Sequence, residues 1–298
     1  RQAPDGRRGR SHRAHALMAA APTLSALPDD PALALYDWPL PPGSARRGTL
    51  LLVHGLGEHA GRYAELARSL NGAGWGVRGY DQVGHGRSPG PRGVLARDAQ
   101  LLDDLARVID ATRATMPAGA PLVLLGHSLG GLVAARAVSL GLRPVQGLVL
   151  SSPALDAGLN AVQKALIAVL YRLAPTLAVG NGLSPRYLSH DTAVVRAYQD
   201  DPLVHDRISA RLARFIAHAG PAVLAEAPRW PVPTLLLYAG QDRLVAPAGS
   251  RALAAAAPPQ QLTARCFDAL YHEIFNELER AQVTDALLDW LRSRWPAF

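Results

Sequence analysis

A chain of 298 residues, 49% apolar and 18% charged, has ample material for a buried core, which excludes a chain disordered throughout. Its formal charge of +7 would suit nucleic acid, but Arg1, Arg7, Arg8, Arg10 and Arg13 crowd the first 17 residues against Asp5 alone. The body is therefore only mildly basic, and no nucleic-acid partner is expected. Cys266 is the single cysteine, so neither an internal disulfide nor a thiolate metal site can form, and no apolar run is long enough to predict a spanning helix.

Residues 1–32 read as a leader, disordered or of upstream origin, with residues 1–17 as its arginine-rich part. A secretory signal is the rival reading, since small residues follow the arginines from Ala14 to Leu27. Pro22 interrupts that run, so a cytoplasmic protein is expected. Short apolar runs then predict strands at Thr49–Val53, Trp75–Tyr80, Leu122–Leu125, Gln146–Leu150, Thr234–Tyr238 and Leu262–Phe267. Helical periodicity falls between them, at Tyr63–Leu70, Ala99–Thr115, Leu132–Leu140, Pro247–Ala256 and Ala281–Arg294. Fully apolar strands alternating with helices predict an α/β fold, a mostly parallel sheet covered by helices on both faces.

The alternation fails between Ser152 and Pro228, where helical patterns appear without a convincing strand. Residues 33–152 and 229–298 are expected to form the core and residues 153–228 a helical cap. Within the cap, Leu159–Leu173 reads either as a helix packed on the core or as a lid lining an acyl-chain pocket. Cys266, inside the last strand, reads as a buried structural thiol.

Gly126-His-Ser-Leu-Gly130 sits between an apolar strand and a helix, the context that the G-x-S-x-G pattern requires, and marks Ser128 as a candidate nucleophile. A serine hydroxyl needs a base, and the base an orienting acid, in the chain order serine, acid, histidine. Asp242, after the strand Thr234–Tyr238, is the candidate acid; Asp268 competes for the role but sits at the end of the strand that precedes the histidine. His272 is the candidate base. The backbone amides of Leu56 and Leu129 are the candidate oxyanion donors. Among other histidines, His127 is expected to point elsewhere, His190, His205 and His218 to be surface or structural, and His12 and His15 to belong to the leader. Gly84-His-Gly-Arg-Ser88 reads as a structural turn, and Asp103 and Asp104 as charges on a solvated helix face. No metal or cofactor pattern is present.

The segments His54-Gly-Leu-Gly-Glu-His-Ala-Gly-Arg-Tyr63, Tyr80-Asp-Gln-Val-Gly-His-Gly-Arg-Ser88 and Leu125-Gly-His-Ser-Leu-Gly-Gly131, with Gly240-Gln-Asp-Arg-Leu-Val245 and Tyr271-His-Glu-Ile-Phe-Asn-Glu277, resemble the monoacylglycerol lipase and lysophospholipase-like branch of the α/β-hydrolases. The resemblance runs from about residue 33 to 295. It implies a catalytic triad of Ser128, Asp242 and His272, oxyanion donors at Leu56 and Leu129, and a structural polar pair of Glu58 and Arg62. It further implies a cap, with Asn181-Gly-Leu183 and Asp201-Pro-Leu-Val204, that shapes an apolar tunnel and can rest on a membrane surface. The expected activity is hydrolysis of a single-acyl lipid ester. A lysophospholipase, a broad carboxylesterase, a peptidase and a non-catalytic binder are the alternatives.

Overall fold

The computed structural model describes residues 21–28 and 32–296; the arginine-rich part of the leader, with His12 and His15, lies outside them. In chain order the elements are β1 (Thr23–Ala26), β2 (Ala34–Trp38), β3 (Gly48–Val53), α1 (Ala64–Gly72), β4 (Trp75–Tyr80), α2 (Gln100–Ala114), β5 (Leu122–His127), α3 (Leu129–Ser139) and β6 (Gly147–Ser151). They continue with α4 (Ala161–Leu173), β7 (Ala178–Gly180), α5 (Thr192–Asp200), β8 (Arg207–Ser209), α6 (Ala210–Glu226), β9 (Thr234–Ala239), α7 (Pro247–Ala256), β10 (Leu262–Phe267) and α8 (Arg280–Arg294).

Eight strands form one sheet in the order β1-β2-β4-β3-β5-β6-β9-β10, parallel from β4 to β10 and antiparallel at the β1 and β2 edge. The apolar strands follow from burial on both faces. Leu51, Val53, Leu122 and Leu124 pack with Leu105 of α2, Leu132 of α3 and Leu253 of α7. Their neighbours Leu50, Leu52, Val123 and Leu125 point the other way, against Leu66 of α1 and Leu287 of α8. A strand with no water-facing side has no reason to alternate polar and apolar residues.

Several expectations need correction. Thr23–Ala26 pair with β2, and Leu27 beyond them is buried, so the sheet begins inside the stretch read as leader. The cap segment also carries two strands, β7 and β8, paired antiparallel over three residues each. Its last helix, α6, returns to the core: Leu212 and Val223 are fully buried in the same cluster as Leu132. Asp104 is not on a solvated face but buried against Arg107, where burial pushes its carboxyl pKa up. Asp103 instead pairs with Arg97 near the surface. Cys266 lies in β10 as expected, yet it is only half-buried.

The cap is seated on the core by backbone. The His205 amide donates to Gly57 O at 2.9 Å and the Ser209 amide to Gly93 O at 2.9 Å. A Cβ on Gly57 would fall 2.3 Å from His205 O, and one on Gly93 2.1 Å from Arg207 O, so glycine is required at both contacts. Among the described residues no helix is long and apolar enough to cross a membrane.

Candidate active site

The carboxyl ends of β3, β5, β9 and β10 open on one side of the sheet, where β3 leads outward to β4 and its other neighbour β5 leads the opposite way to β6. Ligand crevices of open α/β sheets form at such a switch point. The loop after β3 brings Leu56, the turn after β5 brings Ser128, the loop after β9 brings Asp242 and the loop after β10 brings His272.

Ser128 holds φ 52° and ψ −119° between β5 and α3, a left-handed conformation that costs a non-glycine residue about 1–3 kcal/mol. The flanking glycines make the turn sterically feasible. A Cβ on Gly126 would meet Gly130 O at 2.5 Å, and one on Gly130 would meet Val53 O at 2.0 Å. Leu129 opens α3, so its amide has no partner within the helix. A Cβ on Gly55 would stand 3.2 Å from Ser128 Cβ, which places the β3 loop directly against the serine. That loop is braced by Glu58, whose Oε1 accepts from the Gly55 amide and the Tyr63 hydroxyl, each at 2.6 Å. Neither the Leu56 nor the Leu129 amide donates to a backbone acceptor among the described residues.

His272 donates from Nδ1 to Asp242 Oδ2 at 2.6 Å, which leaves Nε2 as its basic nitrogen. Asp242 Oδ1 accepts the amides of Leu244 and Val245 at 2.9 Å, so the carboxylate is fixed from both ends. Burial alone would lower the His272 pKa, but the Asp242 charge outweighs it and holds the imidazole above its ordinary value. Asp242 responds in the opposite sense: burial pushes its pKa up, the His272 charge pulls it below the usual carboxylate range, and the pull wins. Asp268, the competitor, makes no hydrogen bond to His272 among the described residues.

Two cavities meet at Ser128 and Leu56. One, of about 340 Å³, is lined by Leu159, by Leu166, Ile167 and Leu170 of α4, and by Ile208 and Ile216. The other, of about 350 Å³, is the more polar of the two: Glu58, Asn181, Tyr198, Asp201, His205 and Glu273 line it beside apolar residues such as Leu188 and Val204. Beneath it Arg62 forks onto Glu273 at 2.6 and 2.7 Å and reaches Glu58 at 2.7 Å, with its guanidinium over the Tyr198 ring. Burial would raise the Glu58 pKa, yet the Arg62 charge holds it down at about 2.

The histidine expectations divide. The His127 ring lies 4.7 Å from that of His272 and its Nδ1 is hydrogen-bonded to Ser151 Oγ, so it borders the site instead of pointing away. Burial first, and the His272 charge second, lower its pKa to about 4, so it stays neutral beside His272. His205 also lines the second cavity, its ring tilted 49° against that of His85 with centroids 4.6 Å apart. His218 is exposed and His190 binds Glu277. Gly84–Ser88 is a turn around Asp81, whose carboxylate accepts from the Tyr36 hydroxyl and the amides of Ala60 and Arg87. Among the described residues no cluster could hold a metal ion. Tyr198 and Glu273 had no assigned part in the sequence reading; the first has no motif, and the second lay hidden in the histidine loop.

Known proteins place this geometry in a family. Residues 44–279 match the profile described as serine aminopeptidase, S33. A monoacylglycerol lipase of Mycolicibacterium smegmatis is 35% identical over 85% of this chain and 90% of its own length. A human monoglyceride lipase is 33% identical over 80% of this chain and 79% of its own. The crystal structure of a Paleococcus ferrophilus monoacylglycerol lipase superposes with a TM-score of 0.79 at 38% identity, covering 88% of this chain and 99% of that one. The profile spans most of the chain and both relatives exceed 30% identity, so this protein belongs to the serine aminopeptidase S33 family of the α/β-hydrolase superfamily, in the branch that contains the monoacylglycerol lipases.

Proposed function

We propose that the chain hydrolyses the carboxylic ester of a single-acyl lipid with a small neutral alcohol, a monoacylglycerol or close relative. Ser128 attacks the carbonyl, His272 Nε2 takes its proton and returns it to the leaving alcohol, and Asp242 fixes the imidazole tautomer. The amides of Leu56 and Leu129 receive the developing oxyanion, each such donor contributing about 3–4 kcal/mol to the transition state. Water then attacks the acyl-enzyme with His272 as base, releasing the fatty acid.

The observation that carries this reading is the meeting at Ser128 of an apolar cavity and a second one that carries several polar and acidic side chains. An acyl chain suits the first and a hydroxylated alcohol the second. The second cavity is lined by Glu58, Glu273, Asp201 and Asp206 and, among the described residues, by no Lys or Arg, which disfavours a phosphate headgroup and so a lysophospholipase. An aminopeptidase would need a carboxylate beside the acyl group to hold the substrate's ammonium. The apolar cavity is lined by no Asp or Glu. Activity on monoacylglycerol that disappears in Ser128→Ala supports the reading. A maximum on acetate in a series from acetate to palmitate would favour a broad carboxylesterase, and turnover of aminoacyl arylamides a peptidase.

Contact with a lipid surface through the cap belongs to the same proposal. Val162 and Leu173 of α4 are 77% and 78% exposed, and Leu166 and Val169 lie between them on the helix. An apolar helix face of this kind beside the acyl cavity suits an interface that delivers single-chain lipids.

A further inference from the structure

One buried carboxylate next to the site has no part in the chemistry above. Glu277 is completely buried and accepts four hydrogen bonds. Its Oε1 takes the Tyr271 amide at 2.7 Å and His190 Nδ1 at 2.8 Å; its Oε2 takes the His190 amide at 2.9 Å and the Ser189 hydroxyl at 3.1 Å. Two of these segments are far apart in sequence: Ser189 and His190 precede α5 in the cap, and Tyr271 immediately precedes His272. The same seam is closed by the Glu273 amide on Leu188 O at 2.8 Å and by the His190 ring stacked 3.7 Å over Tyr271.

His272 thus stands between two clamped neighbours. Tyr271 is held by Glu277, and Glu273 is held by Arg62 and by the cap backbone at Leu188. A buried carboxylate that holds two backbone amides and a ring nitrogen cannot swing without stranding those donors, so it fixes the backbone it grips. A base working at hydrogen-bond range tolerates only about half an ångström of misplacement.

We infer that Glu277 is a positioning residue for His272, and that through it the cap segment Ser189–His190 sets the imidazole against both Asp242 and Ser128. The inference rests on His272 being the base. Glu277 touches neither substrate nor the imidazole; it acts through the main chain of Tyr271. The cap consequently has a second task beyond enclosing substrate, since it completes the support of the base.

The test is steady-state hydrolysis of a soluble short-chain ester by the full chain, with each preparation titrated by a fluorophosphonate so that kcat refers to reactive serine only. Glu277→Gln keeps the shape but replaces one acceptor oxygen by a donor. Its kcat per titrated site is expected to fall about tenfold with KM changed less than about twofold. The acid limb of its pH profile is expected to move downward, because the Asp242 hydrogen bond that raises the His272 pKa is loosened. The other groups facing His272, namely Glu58, Glu273 and the neutral His127 ring, are unchanged by the substitution. Wild-type kcat per titrated site with an unmoved acid limb would assign Glu277 a purely structural role and overturn the inference. Should Glu277→Gln fail to fold, Ser189→Ala and His190→Ala remove one cap donor each from outside the core. A decrease of about two- to threefold in kcat at constant KM, with the acid limb shifted the same way, supports the inference; unchanged values overturn it. Failure of wild type to label, or activity surviving in Ser128→Ala, would instead sink the catalytic reading itself.

Discussion

Ser128 combines its proposed role as nucleophile with backbone strain, and the two can be separated by substitution. Ser128→Ala and Ser128→Gly should both be inactive, but glycine relieves the positive φ that alanine retains. Ser128→Gly is therefore expected to be more stable than Ser128→Ala by about 1 kcal/mol in chemical denaturation; equal midpoints would mean that the turn stores no strain. Asp242 invites a pH experiment. As the proposed base, His272 must be neutral to accept the serine proton, so activity is expected to fall as pH drops through its raised pKa. Asp242→Asn removes the charge that raises it. The acid limb of kcat/KM should move toward lower pH while kcat falls about 10⁴-fold, the cost of losing tautomer control in such a triad. At this scale the sequence was informative where chemistry is written in adjacent residues, as in Gly126–Gly130 and in the loop that carries His272. It was silent on the clamp of Arg62 onto Glu273, whose 211-residue separation is closed only by the fold.

Among the elements, the turn from Gly84 to Ser88 is sharply specified. Gly86 adopts φ 51°, and a Cβ there would lie 2.1 Å from Asp81 Oδ2, the oxygen that accepts from Tyr36 and Arg87. Gly86→Ala should lower stability by about 2–4 kcal/mol, since it combines backbone strain with loss of a buried carboxylate's partners. Little change in the unfolding midpoint would show that Asp81 is easily displaced. Helix α4 presents the opposite case, an element with no buried residue and a capping box of Asn160 and Gln163 at its start. Val162→Glu with Leu173→Glu should leave turnover of a soluble ester within about twofold, because neither residue lines the cavities. Binding to phosphatidylcholine vesicles and turnover of vesicle-borne monoacylglycerol should fall together; unchanged sedimentation with vesicles would remove the interfacial role. The sequence exposed the central strands because burial on both faces leaves unbroken apolar runs. Strand β1 escaped notice because it is a four-residue edge with every residue exposed, β2 because Asp37 breaks its short apolar run, and Asp104 because helical charge patterns do not reveal which side chains a neighbouring strand covers.

At the scale of the whole molecule, four histidines concentrate where the cap meets the core and the site, and burial lowers the pKa of each. His127 and His205 reach about 4, while His54 and His85 are also depressed, the latter by its neighbours His54 and His205 as well as by burial. For a histidine depressed in the folded state, the unfolded chain binds the proton first. Its contribution to stability is complete above the unfolded value near 6.5 and is lost as pH falls toward the folded value. His272 works the other way, its raised pKa favouring the folded state as pH falls, but it is one group against four. The thermal midpoint should consequently drop by about 10 °C or more between pH 7 and pH 4.5. His205→Asn isolates the cap's share. Its side-chain oxygen can replace Nδ1 as acceptor of the Arg207 amide, while the titrating ring beside His85 is gone. The variant should lose less stability than wild type over the same interval, because the positive charges of Arg92 and any protonated His85 no longer confront a second cation at that position. Parallel curves for the two proteins would mean that acid sensitivity arises within the core alone, with the cap remaining seated until the sheet itself gives way.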